Sequence, residues 1–534
     1  MHWILVLLFF QIIHFLSTWK LYSKAGRKSW EAIIPVYSAI VLMQIINRPK
    51  WWVILLFIPV INLIMFPVIW IETIRSFGEK SYINTFLVVL TLGLYIAYVN
   101  YNSDNLIHIK DRDLKPNSIL GEWVGSIAFA IIAATLVHTY VMQPFTIPTS
   151  SLEKTLLVGD FLFVSKIHYG PRVPMTTVAA PMVHDTIPII KTKSYLFSDD
   201  FSKKNSSFLN KLQLPYLRFP GFQSIKRNDI VVFNQPADTL LDMNNFKPDR
   251  NYYKPIDKKT NLVKRCVGIP GDSLEIRNGY VFINGKSLVL PKRAKLQFNF
   301  FVDTKGQRIS QKLLTNRYGA GEGLQYANGN FALNKKGGYI LTLTDEEAKR
   351  ISKNPKVKAV KKLFQFLNGE DGDVFPRIPS LGWNMDNFGP IYIPKKGNTV
   401  KLDKKSLPFY KRIIQEYENN DFVVFGDSIL INGRYVDSYT FKQDYYWMMG
   451  DNRQNSLDAR LWGYVPFDHV VGKPVLIWLS IDKNGKGIHK IRWNRMFTTV
   501  GGNENPKSYL VHVGIFFLSM LGFSKYKKRK LKKN

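Results

Sequence analysis

The chain has 534 residues, and its 73 Lys and Arg against 40 Asp and Glu give a formal net charge of +33. This length allows about two to four domains and excludes a mini-protein that needs covalent staples in order to fold. The single cysteine, Cys266, excludes an intramolecular disulfide framework and a cysteine-based zinc site.

Long apolar runs dominate the first 141 residues and predict a helical membrane region. A spanning helix needs about 20 predominantly apolar residues. Four runs come near this length: 3–15 with its extension towards Tyr22, 51–71, 83–99 and 123–141. The run 33–46 is shorter, and we expect it to be interfacial or re-entrant. We therefore predict a polytopic membrane region over 1–121, with about three spans plus this interfacial segment, and a further span over 122–141.

A last apolar run at 509–523 is followed by seven basic residues between Lys525 and Lys533. Basic residues beside a span mark its cytoplasmic side. We predict a C-terminal transmembrane anchor with a basic cytoplasmic tail over 508–534. The alternative is a buried core helix followed by a disordered basic tail.

The same rule orients the whole chain. The loops 17–50 and 100–121 are rich in Lys and Arg, which predicts that they are cytoplasmic. The region 142–507 is then extracytoplasmic, on the periplasmic face of a cell (inner) membrane that the chain crosses several times. Basic loops and a basic tail beside anionic lipid explain the net charge better than nucleic acid does, so we predict no nucleic-acid partner.

The polar region 142–507 has the pattern of a mainly-β domain. Short apolar runs predict strands at 230–233, 280–283 and 428–431, and the last two lead into Asn-Gly pairs at 284–285 and 432–433. Asn-Gly after an apolar run is the strongest short signal for a β-hairpin.

One helix and two insertions are also predicted within this region. Thr344 and Glu347 have the spacing of a capping box, which predicts a helix over 345–352. Irregular mixtures of Pro, Gly, Lys and Asn fill the stretches near 171–225 and 289–425. We interpret both stretches as insertions on a β core.

Three segments carry residues suited to chemistry. The first, 144–160, follows the fourth apolar run and is rich in hydroxyl side chains, which loops also use to bind their own backbone. The second contains Lys264, which shares a strand face with Cys266; to act as a base, its pKa must fall from about 10.4 to roughly 7–8. The third, 450–466, contains Asp458 and Arg460, which are spaced to pair, and Ser456 on the same side if the segment is extended.

In this order after a membrane span, these segments resemble type I signal peptidases, the Ser/Lys membrane proteases that remove signal peptides from exported proteins. The most specific matches are Lys264-Arg265-Cys266-Val267-Gly268-Ile269-Pro270-Gly271-Asp272 and Gly450-Asp451-Asn452-Arg453 through Trp462-Gly463. The weaker matches are 151–156 with 159–160, and 228–233. The resemblance implies a signal-peptidase-like β fold with large insertions behind an N-terminal helical transmembrane region. It also implies that 142–507 is a serine endopeptidase domain, which cleaves signal peptides from preproteins by a Ser/Lys dyad through an acyl-enzyme.

The resemblance also implies roles for individual residues. They are the nucleophile Ser151, the general base Lys264, the oxyanion donor Thr149 beside the Ser151 N–H, the lysine-orienting Ser456, the structural ion pair Asp458–Arg460 and the substrate-pocket residues Ile147 and Leu152. Ser–Lys pairs are a recognised variant of triad chemistry, in which an adjacent base activates a weak hydroxyl nucleophile. Ser150 stands where the family usually has Gly and is the weaker candidate nucleophile.

Two departures and several rival assignments remain open at this point. Leu152 replaces a Met that is common in the family, and Lys154 replaces a Pro that sets a turn, which changes the expected loop geometry. Lys154 and Lys166 are rival bases. A Ser–His–Asp arrangement could use His168 or His469 with Asp458, although no histidine lies inside a matched segment.

No metal-binding or nucleotide-binding pattern is present in the sequence, so we predict no metal and no cofactor. The expected partners are signal-peptide-bearing preproteins, the lipid bilayer and, as a candidate, the export machinery. Two other functions remain open: a catalytically silent relative that binds export substrates, and a transporter or channel accessory built on the N-terminal spans. Intact Ser151 and Lys264 argue against the first. The second lacks charged residues inside the apolar runs that would mark a transport pathway.

Overall fold

The computed structural model describes residues 2–102, 106–115, 118–200, 206–237, 254–327, 329–365, 374–426, 428–483 and 485–531. Parts of the predicted insertions and the last basic residues of the predicted tail, 532–533, lie outside the described residues. The chain forms two compact units. The first comprises 1–141, 171–219 and 238–259, and the second comprises 142–170, 220–237 and 260–534.

The first unit is helical over most of 1–141 and largely irregular over the described residues of 171–219. Its helices are α1 (His2–Lys24), α2 (Tyr37–Ile45), α3 (Trp52–Leu56), α4 (Asn62–Ser76), α5 (Tyr82–Leu90), α6 (Tyr95–Asn102), α7 (Ile119–Leu136), which continues as a π-helical turn over Val137–Val141, and α8 (Phe208–Lys211). Two helical stretches in the described part of the chain are long and apolar enough to cross a membrane, Ile4–Lys24 and Ile119–Val141.

The apolar runs 51–71 and 83–99 each form two shorter helices, where the sequence pattern favoured one spanning helix. The first run breaks before α4, where Pro59 precedes Val60 with a φ of +71°. The second breaks at Leu92 and Gly93, whose φ angles are +51° and +86°. Left-handed residues cannot continue a right-handed helix, and Pro lacks the N–H that a helix interior needs. The short run 33–46 forms only the nine-residue helix α2.

The second unit is mainly β. Its strands are β1 (Met142–Thr146), β2 (Asp160–Ser165), β3 (Ile230–Asn234), β4 (Asn261–Gly268), β5 (Ser273–Arg277), β6 (Tyr280–Ile283), β7 (Lys286–Ser287), β8 (Phe298–Asp303), β9 (Glu322–Gly323), β10 (Gly338–Leu343), β11 (Ala359–Lys362), β12 (Phe388–Tyr392), β13 (Thr399–Lys401), β14 (Phe422–Phe425), β15 (Ser428–Ile431), β16 (Arg434–Val436), β17 (Ser438–Thr440), β18 (Tyr445–Met449), β19 (Val465–Pro466), β20 (Val470–Ser480) and β21 (Thr498–Thr499). Its helices are α9 (Asp345–Ile351), α10 (Leu407–Arg412), α11 (Ala459–Trp462) and α12 (Leu510–Leu531). The predicted fold class, a helical N-terminal region followed by a mainly-β domain, is confirmed.

The largest sheet has eight strands in the order β1-β2-β20-β3-β4-β18-β19, with β21 paired to β20. A second sheet has the order β12-β5-β6-β7 and a third the order β11-β8-β10-β9. Smaller sheets are formed by β13 with β17 and by β14-β15-β16. The pairings between the named strands are antiparallel. Short turns, or the longer segments between the sheets, join consecutive strands.

The local predictions within this unit are confirmed. Strands β3, β6 and β15 contain the three predicted runs, and both Asn-Gly pairs form the turns of hairpins. Asn284 and Gly285 have φ angles of +51° and +78°, and the second pair is almost identical, as a type I′ turn requires. The Thr344 side chain accepts from the Glu347 N–H, which completes the capping box of α9.

Three apolar clusters account for most of the packing in this unit. The largest lies around β4, β5, β12 and β18, and also takes in residues from α10 to β14. The sheet β11-β8-β10-β9 and α9 enclose a second cluster. The third lies under β2 and β20 and includes Ile147 and Leu152. The predicted insertion 289–425 therefore has two parts, a small sheet with its own core and a stretch after 374 that belongs to the main core.

The C-terminal apolar run forms α12, whose apolar side chains are exposed, Phe523 by 70%. This helix is not one of the two that meet the length and composition of a span. Its role as an anchor stays a prediction.

Candidate active site

The loop between β1 and β2, residues 147–159, carries Ser151, the predicted nucleophile, and we name it the nucleophile loop. The Asp160 side chain, which is fully buried, accepts from the Leu157 N–H at 2.8 Å and from the Ser480 hydroxyl at 2.6 Å. The loop is further closed by a hydrogen bond from the Gly159 N–H to the Ile147 carbonyl at 2.9 Å. Ser151 is 8% exposed. The nucleophile loop is therefore held at both of its ends.

Lys264 lies in the middle of the largest sheet. It is on β4, opposite Val231 of β3, and it is 4% exposed. Burial disfavours the ammonium and lowers the pKa of Lys264 to about 8, although the nearby Asp458 carboxylate acts in the opposite direction. A substantial fraction of this lysine is therefore neutral near pH 8, as a general base requires.

The end of β18 links β4 to the nucleophile loop. Met449 pairs with Arg265 of β4, and the Arg265 guanidinium binds the Asp451 carboxylate through two hydrogen bonds of 2.8 and 2.7 Å. One residue further on, the Asn452 N–H donates to the Ser151 carbonyl at 3.1 Å. Ser151 and Arg265, the residue after Lys264, are thus fixed against neighbouring residues of one strand end.

Gly450 occupies the tightest point of this arrangement. A Cβ built on Gly450 would lie 2.2 Å from the Ser456 hydroxyl oxygen and 2.6 Å from the Ser151 carbonyl oxygen. Because Gly450 has no Cβ, the Ser456 hydroxyl and the Ser151 carbonyl can both lie close to it. The Ser456 hydroxyl is buried and has no hydrogen-bond partner within the described residues.

Asp458 and Arg460 form a fully buried ion pair with two contacts of 2.8 Å. The Asp458 carboxylate also accepts from the Gly450 N–H at 3.0 Å, and Arg460 donates to the Arg453 carbonyl at 2.7 Å. Burial raises the pKa of Asp458, but the Arg460 guanidinium and the Gly450 N–H outweigh it and hold this pKa below its ordinary value. The pair therefore fixes the backbone at Gly450 and at Arg453, and with it the segment that carries Ser456.

The remaining predicted site residues are placed as follows. Ile147 and Leu152 are 4% and 2% exposed and share one apolar cluster with β2 and β20. Thr149 is exposed. Ser150 accepts a hydrogen bond from the Asn455 side chain at 3.1 Å.

The rival base Lys154 and the histidines of the rival triad have other partners. Lys154 pairs with Glu347. His168 contacts the Ser165 hydroxyl at 2.6 Å, and His469 contacts Asp468 at 2.5 Å, whereas Asp458 is bound to Arg460. Among the described residues, no group of three His, Cys, Asp or Glu side chains is arranged to hold a metal ion.

The sequence pattern did not reveal the contributions of four residues to this site, which are Gly450, Arg265, Asp451 and Glu322. Gly450, Arg265 and Asp451 stand inside matched segments, and strand alternation places Arg265 on the face opposite Lys264, which was an available signal. Glu322 accepts from the side chains of Asn452 and Asn455 at 2.7 and 2.8 Å. Nothing in the sequence connects this residue of the insertion to the site.

Within the described residues, neither the Ser151 hydroxyl nor the Lys264 ammonium has a hydrogen-bond partner. In the absence of substrate, catalytic hydrogen bonds are often unformed and tighten only when substrate binds. The arrangement offers a buried lysine with a lowered pKa, a serine fixed by its backbone and, across Gly450 from that serine, the unpartnered Ser456 hydroxyl. Such a set of groups can activate an alcohol for attack on a carbonyl.

Comparison with known proteins gives two matching family models. The model described as signal peptidase, peptidase S26, matches residues 120–339 and 394–479, which is more than half of the chain. Residues 30–106 match a family of unknown function, DUF5684.

Curated relatives agree with the first model. Signal peptidase I of Buchnera aphidicola subsp. Acyrthosiphon pisum is 23% identical over 385 residues, which cover 72% of this chain and 82% of the relative. Signal peptidase I of Helicobacter pylori is 24% identical over 392 residues, covering 72% and 92%. The corresponding protein of Haemophilus influenzae is 22% identical over 396 residues, covering 72% and 78%. The chain is a serine endopeptidase and belongs to the signal peptidase family, peptidase S26.

Proposed function

We propose that this chain cleaves signal peptides from exported preproteins, with Ser151 as the nucleophile and Lys264 as the general base. The observation that carries the proposal is the burial of Lys264, which lowers its pKa to about 8 beside the strand end that holds Ser151. A lysine with its ordinary pKa would be almost fully protonated at neutral pH and could not accept a proton.

The proposed reaction has two halves. Neutral Lys264 takes the Ser151 hydroxyl proton while the oxygen attacks the scissile carbonyl, and the resulting ammonium protonates the leaving amine. The Ser151 N–H and the exposed Thr149 hydroxyl stabilise the oxyanion, for which each well-placed donor contributes about 3–4 kcal/mol. Water activated by the same lysine then hydrolyses the acyl-enzyme. Ser456, buried against Gly450, orients the Lys264 ammonium.

Substrate recognition follows from the strands around the site. An extended preprotein segment would pair with a strand edge next to the nucleophile loop. Ile147 and Leu152 lie on this loop and belong to a buried apolar cluster. In this proposal, their side chains form the apolar floor of the pockets for small residues before the scissile bond.

The proposal places the protein in a cell (inner) membrane as a multi-pass protein. The two helices long enough to span, Ile4–Lys24 and Ile119–Val141, support membrane insertion, and Ile119–Val141 leads directly into β1. The basic loops 17–50 and 100–121 favour a cytoplasmic position, which puts the peptidase domain on the extracytoplasmic face. Preproteins and the bilayer are the proposed partners, with the export machinery as a further candidate.

The test is cleavage of a precursor that bears a signal peptide, by the full chain solubilised in detergent. Wild type should cleave at one bond after a small residue, and Ser151→Ala should abolish this cleavage while Ser150→Ala retains it. Mass spectrometry of both products locates the bond. Failure of folded wild type on several precursors would contradict the proposed function, and activity in Ser151→Ala would contradict the assignment of the nucleophile.

A further inference from the structure

Lys154 has an unusual backbone and an unusual side-chain environment. It lies three residues after Ser151, and its φ of +67° is in the left-handed region, which non-glycine residues rarely adopt. Its ammonium forms an ion pair with Glu347 of α9, and the two side chains are only 16% and 13% exposed. A strained backbone of this kind persists only when its surroundings hold it in place.

Glu347 is itself fixed on several sides. It is the third helical residue of α9, and its carboxylate accepts from the Thr344 N–H at 2.9 Å as part of the capping box. The loop at Gly319 packs directly on it, because a Cβ there would lie 2.2 Å from the carboxylate oxygen. The carboxylate that meets Lys154 is therefore presented in one orientation.

The residues on either side of Lys154 are held by the segment that leads into β8. The Gln297 side chain donates to the Glu153 carbonyl at 2.7 Å. The Lys295 N–H donates to the Thr155 hydroxyl at 3.1 Å, and this hydroxyl donates to Asp451 at 2.6 Å. Three successive residues of the nucleophile loop are thus bound from outside it, and only Lys154 is bound through its charge.

We propose that Glu347 is a positioning residue for the peptidase reaction, acting through Lys154 on the turn that carries Ser151. The inference rests on the proposed function. The family model leaves residues 340–393 unmatched, so α9 belongs to a part of this chain outside the family pattern. The small sheet with α9 then takes part in the reaction by positioning the turn that carries Ser151.

The expected consequence is specific to turnover. Loss of the ion pair lets the turn relax, which shifts the Ser151 hydroxyl relative to the scissile carbonyl. Small misplacement of a reacting group lowers the rate of attack far more than it lowers binding. The effect should therefore fall on kcat, whereas KM should change little.

The experiment compares Glu347→Gln, Lys154→Gln and the double variant with wild type, all as the full chain in detergent. Glu347→Gln retains an acceptor for the capping box and loses only the charge. The matched control is Lys349→Gln, because Lys349 lies on α9 two residues after Glu347 and its side chain is exposed. We expect each single variant to lower kcat about tenfold with KM within about twofold, and the double variant to be no worse than either single. Hydrogen exchange at residues 152–158 should be faster in both variants, with β18 unchanged.

The outcomes separate the two proposals. A wild type that cleaves its precursor while folded Glu347→Gln and Lys154→Gln keep wild-type kcat overturns the positioning role alone. Multiplicative losses in the double variant, or unchanged exchange at residues 152–158, overturn it as well. Should Glu347→Gln not fold, Lys154→Gln decides the matter, since it leaves α9 intact. A wild type that cleaves no precursor overturns the proposed function and this inference with it.

Discussion

Lys264 is 4% exposed, which makes it more buried than its apolar neighbour Val263 on β4, and it carries an amine into the sheet. Burial in the sheet destabilises the charged form of the lysine. The nearby carboxylates of Asp458 and Asp451 favour the ammonium, whereas the Arg460 guanidinium disfavours it. The net effect is a pKa of about 8. This residue sets the pH behaviour expected of the enzyme.

As the proposed base, Lys264 acts in its neutral form, so kcat/KM should rise with pH and level off above pH 8. Below that point each pH unit should lower kcat/KM about tenfold, which leaves about 1% of the plateau at pH 6. The measurement is kcat/KM on one precursor between pH 6 and 10, with the fold monitored by circular dichroism. A flat profile through pH 7–9, or a rise only above pH 10, would show that Lys264 is not the base.

Gly450 is a second residue whose substitution should lower the activity. Gly450→Ala should reduce kcat by at least about 100-fold, because the new methyl group must displace the Ser456 hydroxyl or the Ser151 backbone. Gly514→Ala is the control, since a Cβ at Gly514 meets nothing within 4 Å. Near-normal kcat in a folded Gly450→Ala would mean that the close packing of Ser151 and Ser456 is not needed for turnover.

Individual elements differ in how far the sequence predicts them. The strand β6, its Asn-Gly turn and the capped helix α9 follow from signals within a few residues, and each is found where it was expected. The helices within the apolar runs 51–71 and 83–99 were harder to predict, because mean hydropathy does not reveal a turn that interrupts a helix. Pro59 and Gly93 were the local signals for the breaks, and weighing them would have predicted the shorter helices.

Lys362 of β11 provides a test of one element. Its ammonium lies 4.1 Å from the Phe298 ring centroid and 4.9 Å from that of Tyr280, and it donates to the Tyr280 hydroxyl at 2.6 Å. It also pairs with Asp345 at 2.5 Å, at the first turn of α9. The residue therefore joins β6, β8 and α9.

Lys362→Met should lower the free energy of unfolding by about 1–2 kcal/mol, because it loses partly desolvated cation–π contacts and an ion pair. Lys361→Met, on the exposed face of the same strand, should have almost no effect. Denaturant unfolding followed by circular dichroism measures both. Equal stability of the two variants would show that the aromatic contacts of Lys362 contribute nothing.

At the scale of the whole molecule, the long-range contacts are what sequence reasoning could not supply. Lys154 and Glu347 are 193 residues apart, and Glu322 meets Asn452 across 130 residues. No local periodicity encodes such pairs. For the same reason, the sequence did not show that the insertion 289–425 has two parts. Phe388 and Tyr410 are buried in the main core by strands elsewhere in the chain. The predicted ion pair Asp458–Arg460 was accessible because its members are two residues apart.

The segment after β20 also reaches the nucleophile loop. Arg492 donates to the Val158 carbonyl at 3.0 Å, and Arg495 donates to the buried Asp160 carboxylate at 3.1 Å. The family model ends at residue 479, so these contacts lie beyond the matched region. All of them come before α12.

A chain that ends at Tyr509 should therefore keep wild-type kcat in detergent, whereas one that ends at Asp482 should lose most activity and unfold at a lower temperature. The second truncation leaves the Asp160 carboxylate buried without its arginine, and loss of one partner of a buried pair typically costs about 3–5 kcal/mol. Cleavage rate and Tm of both chains are the measurements. Equal activity of the two truncations would contradict a role for this segment at the loop.

The most direct test of the account is to find the covalent intermediate. Enzyme and precursor are mixed, quenched in acid during the first turnover and digested for mass spectrometry, using wild type, Ser150→Ala, Ser151→Ala and Lys264→Ala. We expect a signal-peptide fragment esterified to Ser151 in wild type and Ser150→Ala, and no adduct in Ser151→Ala or Lys264→Ala. An adduct on Ser150, or one that still forms in Lys264→Ala at the wild-type rate, would contradict the assignment of Ser151 and Lys264 as the catalytic pair.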